Sequence, residues 1–273
     1  MAGNVGASAS STRPRRKAPS RARRGFGRAA YTWGSVIGGL LLWQIWGDYV
    51  VHNSLFLATP TQSFVAMIKL WGNGTLQHDI VISGEEFLVG FVIASIAGIV
   101  IGLLTATFDR VSLILTPWIS GLYATPIIAV APLLILWFGV GIWSKIAVVI
   151  SLVVFPMIIS TEAGIRHTDA QLIEAARSFS ATQQQIFTKV MLPSALPLIL
   201  AGLRLGVGRG LIGVVVGELA GSRAGIGYLI NEASQVFNMP ELFAGVIILA
   251  AAGILLTAGF ERTEHILAPW KND

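Results

Sequence analysis

Long uncharged apolar runs alternate with short polar stretches along this chain. Residues 87–108 carry no charged side chain over 22 positions, and 242–260 carry none over 19. A helix needs roughly 20 predominantly apolar residues to cross a bilayer, so each run predicts one crossing. Residues 146–161 form a shorter run of 16 that contains Pro156. Residues 31–51 are interrupted only near their end, by Asp48, and 195–219 read as a further span despite Arg204 and Arg209.

The run at 111–144 fits this scheme least well. It is uncharged over 34 residues, which as one helix would reach about 50 Å against a hydrocarbon core of about 30 Å. Pro117, Pro126 and Pro132 interrupt it. It is either one span with an irregular start or a tight hairpin. Charge favours the first. One span gives six crossings and places both termini on one side, with 14 of the 19 Lys and Arg. Eight of these lie between Arg13 and Arg28, and the others are Arg110, Arg166, Arg177, Lys189, Arg262 and Lys271. The opposite side holds Lys69, Lys145 and Arg223. A hairpin would move Arg166, Arg177 and Lys189 across. Lys and Arg collect on the cytoplasmic side of membranes, so six spans with cytoplasmic N- and C-termini are expected.

Composition supports an all-α membrane protein. The chain is 54% hydrophobic and 12% charged, against roughly 25% charged for a soluble domain. Its formal charge of +5 is concentrated in the first 30 residues. That stretch, rich in Ala, Ser, Gly, Pro and Arg, is expected to be a disordered cytoplasmic tail. A cleaved signal and a nucleic-acid-binding arm are weaker readings, since the adjoining apolar run is long enough to span and shows no clear cleavage site. The expected organisation is a tail at 1–30, a membrane domain at 31–265 and a cytoplasmic end at 266–273. There are no cysteines, so disulfides and thiolate metal sites are excluded, and the four histidines show no metal-ligand spacing.

Two polar stretches remain. Residues 52–83 are too polar to span. Thr59-Pro60-Thr61 should begin a short outer helix, with Pro60 in its first turn. Phe64, Met67, Ile68 and Trp71 then share one face, as an interfacial helix or as part of an ordinary loop. Residues 162–195 form the longest polar stretch outside the tail. Asp169 can cap a helix at 171–179, in which Leu172, Ile173, Ala176 and Phe179 share a face. A break at 180–182 leads to a second helix at 183–191, and Pro193 and Pro197 punctuate the entry to the next span. Two short helices are not stable alone in water, so they must pack on something.

Glu174-Ala175-Ala176, a turn three residues later and Leu192-Pro193 resemble the EAA loop of ABC importer permeases. The family pattern is E-A-A, three residues, G, nine residues, I, one residue, L-P. This chain departs at Ser180, where glycine is usual, and at Val190, where isoleucine is usual. Serine there either keeps negative φ or is strained. The likeness runs from about Leu57 to Glu261. Ala131-Pro132-Leu133-Leu134-Ile135-Leu136-Trp137-Phe138-Gly139 with Gly141, Leu203-Arg204, Gly208-Arg209 and Gly225-Ile226-Gly227-Tyr228-Leu229-Ile230 all resemble family segments. The most similar branch imports nitrate, sulfonates such as taurine, bicarbonate and related small solutes.

The resemblance implies a permease subunit in the bacterial cytoplasmic (inner) membrane. Two copies would surround a translocation path for a small, anionic solute. A periplasmic or lipid-anchored solute-binding protein would deliver it. ATP-binding-cassette ATPase subunits would dock beneath on Glu174, Ala175, Ala176, Ser180, Val190, Leu192 and Pro193. ATP and Mg would belong to those subunits; this chain is expected to hold no cofactor, to bind no nucleic acid and to be no enzyme. Independently, the chain contains no phosphate-cradling G-x-x-x-x-G-K-[S/T] sequence. The alternatives are a self-contained secondary transporter or channel and, behind it, a membrane enzyme, for which no nucleophile–base pair is seen.

Ionisable residues inside spans are candidate functional groups. Arg209, near mid-depth of the fifth span, is expected at the translocation path. Arg204, nearer the cytoplasmic face, can snorkel or line the path. Glu218, near the outer end, can gate the path or cap loop amides. Thr125 and Pro126 should break the third span and could line the path with freed carbonyls. Gly202, Gly206 and Gly210 recur every fourth residue, as do Gly213, Gly217, Gly221 and Gly225. Such rows let membrane helices approach closely, within the chain or toward a second copy.

Overall fold

The computed structural model describes residues 21–267, apart from His52 and Ser54. Every regular element among them is helical. Helix α1 (Arg21–Trp46) widens into a π-type turn at Gly47–Val51 and is followed by the short α2 (Pro60–Gly72). Next come the long α3 (Thr75–Thr107), then α4 (Asp109–Ala124) and α5 (Ile127–Phe138). They are followed by α6 (Ile142–Arg166), α7 (Ala170–Ser178) and α8 (Gln183–Ile186), which passes through a π-type turn at Phe187–Met191 into α9 (Leu192–Gly221). The last two are α10 (Ile226–Gln235) and α11 (Met239–Leu267).

The core is a sandwich of α3, α6 and α9 with α6 in the middle. Phe87, Phe91 and Ala94 of α3 meet Val149, Val153 and Met157 of α6 and Ile199, Val207 and Val214 of α9. Small residues set the spacing. A Cβ on Gly102 would lie 2.7 Å from the Ile158 carbonyl oxygen, so α3 and α6 touch nearly backbone to backbone. The glycine rows of α9 do the same: Gly202 faces Ser160, Gly210 faces Phe87, and Gly213 faces Val149. The rows therefore serve packing within this chain.

Four described helical stretches are long and apolar enough to cross a membrane: 75–107, 142–166, 183–221 and 239–264. The α4–α5 pair makes a fifth if taken as one span, bent by 101°. Helix α1 falls short by composition, because Trp, Tyr, Gly and Gln dilute its aliphatic residues. Its Leu40, Leu41, Leu42 and Ile45 are nevertheless exposed.

Several boundaries differ from the sequence expectations. Helix α1 begins at Arg21, inside the stretch assigned to the tail. Residues 1–20 and 268–273, with the rest of the expected tail and most of the expected cytoplasmic end, lie outside the described residues. Helix α3 starts at Thr75 rather than near 87, because Asp79, Ser83 and Glu86 find polar partners inside the protein. Pro117 and Pro132 sit within α4 and α5 without breaking them. Pro193 and Pro197 do not stop the helix either. Proline removes a donor and crowds the carbonyl four residues earlier, and the π-type turn ahead of Pro193 lets the helix run on from Gln183 to Gly221. Helix α2 forms as expected. Thr59 and Gln62 build a reciprocal capping box, and Pro60 opens the first turn. Its inward face is Ser63, Ala66 and Leu70. Phe64, Ile68 and Trp71 point outward.

Candidate functional site

The polar loop forms two helices joined by a tight turn. Asp169 caps α7 by accepting from the Gln171 amide at 2.8 Å. Thr182 and Gln185 form a second reciprocal capping box at α8. Between them the chain turns through Ser180 at φ +55°. The Ser180 amide donates to the Arg177 carbonyl at 2.8 Å, and the Ala181 amide to the Ala176 carbonyl at 3.1 Å. This is the Schellman pattern, whose left-handed residue is usually glycine. Of the two options open for Ser180, the strained one is present. Ser180→Gly is expected to stabilise the turn by about 1 kcal/mol, seen as slower amide exchange in the loop; faster exchange would show that the serine conformation is favoured.

No residue of α7 is buried. Glu174 and Ala175 are exposed and Ala176 is half-buried. Leu172 and Phe179 are 52% and 88% exposed. Val190, Leu192 and Pro193 are half-buried. Buried Ile186, which sequence reasoning did not single out, anchors α8. At the end of α6, Arg166 ties three helices together. Its Nε bonds Glu162 at 2.9 Å, and its Nη2 donates to the Thr105 carbonyl at 3.1 Å and to Ser112 Oγ at 3.0 Å.

Glu218 lies inside the helix bundle. It is 1% exposed and buried within this single chain. It accepts from Ser83 Oγ at 2.6 Å and from the Gly227 amide. Asp79 accepts from the Gly225 amide at 2.9 Å, and Ser83 accepts from the Ile226 amide at 2.8 Å. Three polar side chains thus satisfy the free amides at the start of α10. The Gly225-Ile226-Gly227 motif is a consequence of this arrangement. Gly225 has φ +113°, and a Cβ on Gly227 would lie 2.8 Å from the Glu218 carboxylate. Of the two roles expected of Glu218, the bonds seen here are those of capping loop amides. Beside it, Lys145 pairs with Glu86 at 3.4 Å, with side chains 8% and 0% exposed. Sequence reasoning missed this pair and counted Lys145 as an external loop charge.

Arg204 is held by acidic groups. Its guanidinium pairs with Glu261 at 3.3 Å and Glu264 at 3.8 Å, which ties α9 to α11. By contrast, the structure brings Arg209, Thr125 and Pro126 together. They line one cavity of about 330 Å³, with Tyr123, Ser151 and Phe155. The cavity exists because the helix breaks where expected. Proline holds its predecessor in extended backbone, and Thr125 sits at φ −71°, ψ 130°.

Residues 98–272 match the family described as the binding-protein-dependent transport system inner membrane component. The chain belongs to this permease family. It is the permease subunit of an ABC importer, which removes the self-contained transporter as an alternative. A Bacillus subtilis (strain 168) protein named as an aliphatic sulfonates transport permease is 38% identical over 90% of this chain and 91% of its own. A formylaminopyrimidine transport permease of Halalkalibacterium halodurans is 37% identical over 85% and 92%. The Escherichia coli (strain K12) taurine transport system permease is 29% identical over 86% and 87%. Among solved structures, an inward-facing methionine ABC transporter superposes with a TM-score of 0.58 at 18% identity. That match covers 74% of this chain and 98% of the other. The permease thus shares its fold with ABC transporters, and such an importer implies ATPase and solute-binding-protein partners.

Proposed function

We propose that this permease imports a small sulfonate, handed over by a solute-binding protein on the outer side and driven by ATPase subunits docked on loop 162–195. The exposed α7 carries this reading. A nine-residue helix capped at both ends, without one buried residue, needs a surface to lie on. Glu174, Ala175 and Ala176 lie on α7, and Ser180, Val190, Leu192 and Pro193 set the angle at which α8 and α9 leave it. ATP and Mg belong to the partner subunits. In this reading six crossings, with α1 the first and the α4–α5 pair the third, place both termini in the cytoplasm. A second copy of the permease completes the path.

The sulfonate assignment draws on the Bacillus and Escherichia relatives and on the cationic Arg209. The formylaminopyrimidine relative would favour a neutral heterocycle, which leaves Arg209 without a purpose. Reconstitution tests the whole reading. Proteoliposomes holding the permease and its ATPase should take up radiolabelled butanesulfonate only with ATP and the binding protein present. Uptake by this chain alone would refute the ATPase coupling, and uptake of formylaminopyrimidine in place of the sulfonate would refute the substrate class.

A further inference from the structure

We infer that the cavity around Arg209 is a solute-contact site for an organic anion with one acidic head and a small apolar body. This rests on the proposed import function. The two arginines of α9 differ in one respect. Arg204 is engaged by Glu261 and Glu264. Arg209 has no hydrogen bond or ion pair with any described residue, and its side chain is exposed. Among the described residues no acidic side chain lines its cavity. A charged group inside a span is costly unless something answers it, and no described residue of this chain answers Arg209. A passing anion does.

The remaining walls define the other half of the ligand. The Tyr123 and Phe155 rings stand 6.5 Å apart and inclined at 52°, an apolar corner for an alkyl or aryl body. Thr125 and Ser151 add little to head-group recognition. Their hydroxyls already donate to the Gly121 carbonyl at 3.0 Å and the Ala147 carbonyl at 2.8 Å. Arg209 is therefore the charged donor that the cavity offers. A volume of about 330 Å³ lies in the range of small-molecule sites. A bidentate guanidinium suits planar or tetrahedral oxyanions better than a point charge does.

The test uses the complete complex of permease, ATPase and binding protein in proteoliposomes, with radiolabelled butanesulfonate. Arg209→Gln should lower uptake about tenfold, the loss of one charge-assisted contact. ATP hydrolysis stimulated by the loaded binding protein should persist. Arg209→Lys should recover part of the uptake, and Arg204→Ala should cost less than Arg209→Gln. Tyr123→Ala should raise KM for butanesulfonate more than for ethanesulfonate. Unchanged uptake in Arg209→Gln overturns the inference. So does a matched loss of uptake and stimulated hydrolysis, since that marks a structural role. A wild-type complex that fails to import any sulfonate refutes the import function itself, a result separate from any change at Arg209.

Discussion

Glu174→Lys is expected to reduce uptake to background while the permease remains in the membrane. The carboxylate sits mid-way along α7, exposed and without a partner among the described residues. Removing it therefore costs the permease itself almost nothing, and any loss must arise at the surface that α7 meets. Reversing a charge at the centre of a docked helix removes an anchor worth about 2–4 kcal/mol and adds repulsion wherever the partner carries the complementary charge. At about 3 kcal/mol, affinity for the ATPase falls roughly a hundredfold. The effect on transport should be larger than on binding. From Gln183 to Gly221 the helix that follows the Ser180 turn and the span carrying Arg209 are one continuous rod, so an α7 that is not held cannot tilt that rod. Arg166 is a second route, because it joins the end of α6 to α3 and to α4, and α4 leads to the broken pair beside the cavity. Uptake, membrane content and co-purification of the ATPase are the three measurements. Normal uptake with normal co-purification would remove the docking assignment.

The loop and the cavity were legible in the sequence for different reasons. The loop signals are local. Asp169, Thr182 and the apolar spacing of α7 each act within one helical turn, so spacing alone reveals them. The cavity was legible because Pro126 acts on its immediate predecessor, and because an arginine in an apolar run stands out. The cluster around Glu218 was not legible. Ser83 and Glu218 are 135 positions apart, and nothing in helical periodicity links them. The same hidden partners explain the misplaced start of α3. A segment with Asp79 and Glu86 reads as too polar for a span only while those groups are assumed to face lipid. Pro193 misled in the opposite direction. Its rule is a helix stop, and the wider turn that cancels the clash leaves no mark in the composition.

Lys145→Met is expected to be the most destabilising single change outside the loop. The ion pair with Glu86 is buried on both sides, and removing one partner of such a pair typically costs about 3–5 kcal/mol because the other charge is left without compensation. Methionine keeps the packing of the stem. That matters because the Lys145 stem lies against Gly217, where an added Cβ would meet it at 3.2 Å. The substitution therefore isolates the charge. The pair joins α3 to α6 directly beside Glu218, which holds the first amides of α10 together with Ser83 and Asp79. Its loss should loosen that end of the α3–α6–α9 core as a unit. A fall of about 10 °C in the unfolding midpoint of the purified complex is the expected size. Glu86→Leu combined with Lys145→Met should regain most of it, since an apolar pair of similar volume often matches a buried ion pair. If the single variant melts at the wild-type temperature, the pair contributes nothing to holding these helices. If the double variant is no better than the single, the cost lies in packing rather than in an uncompensated Glu86.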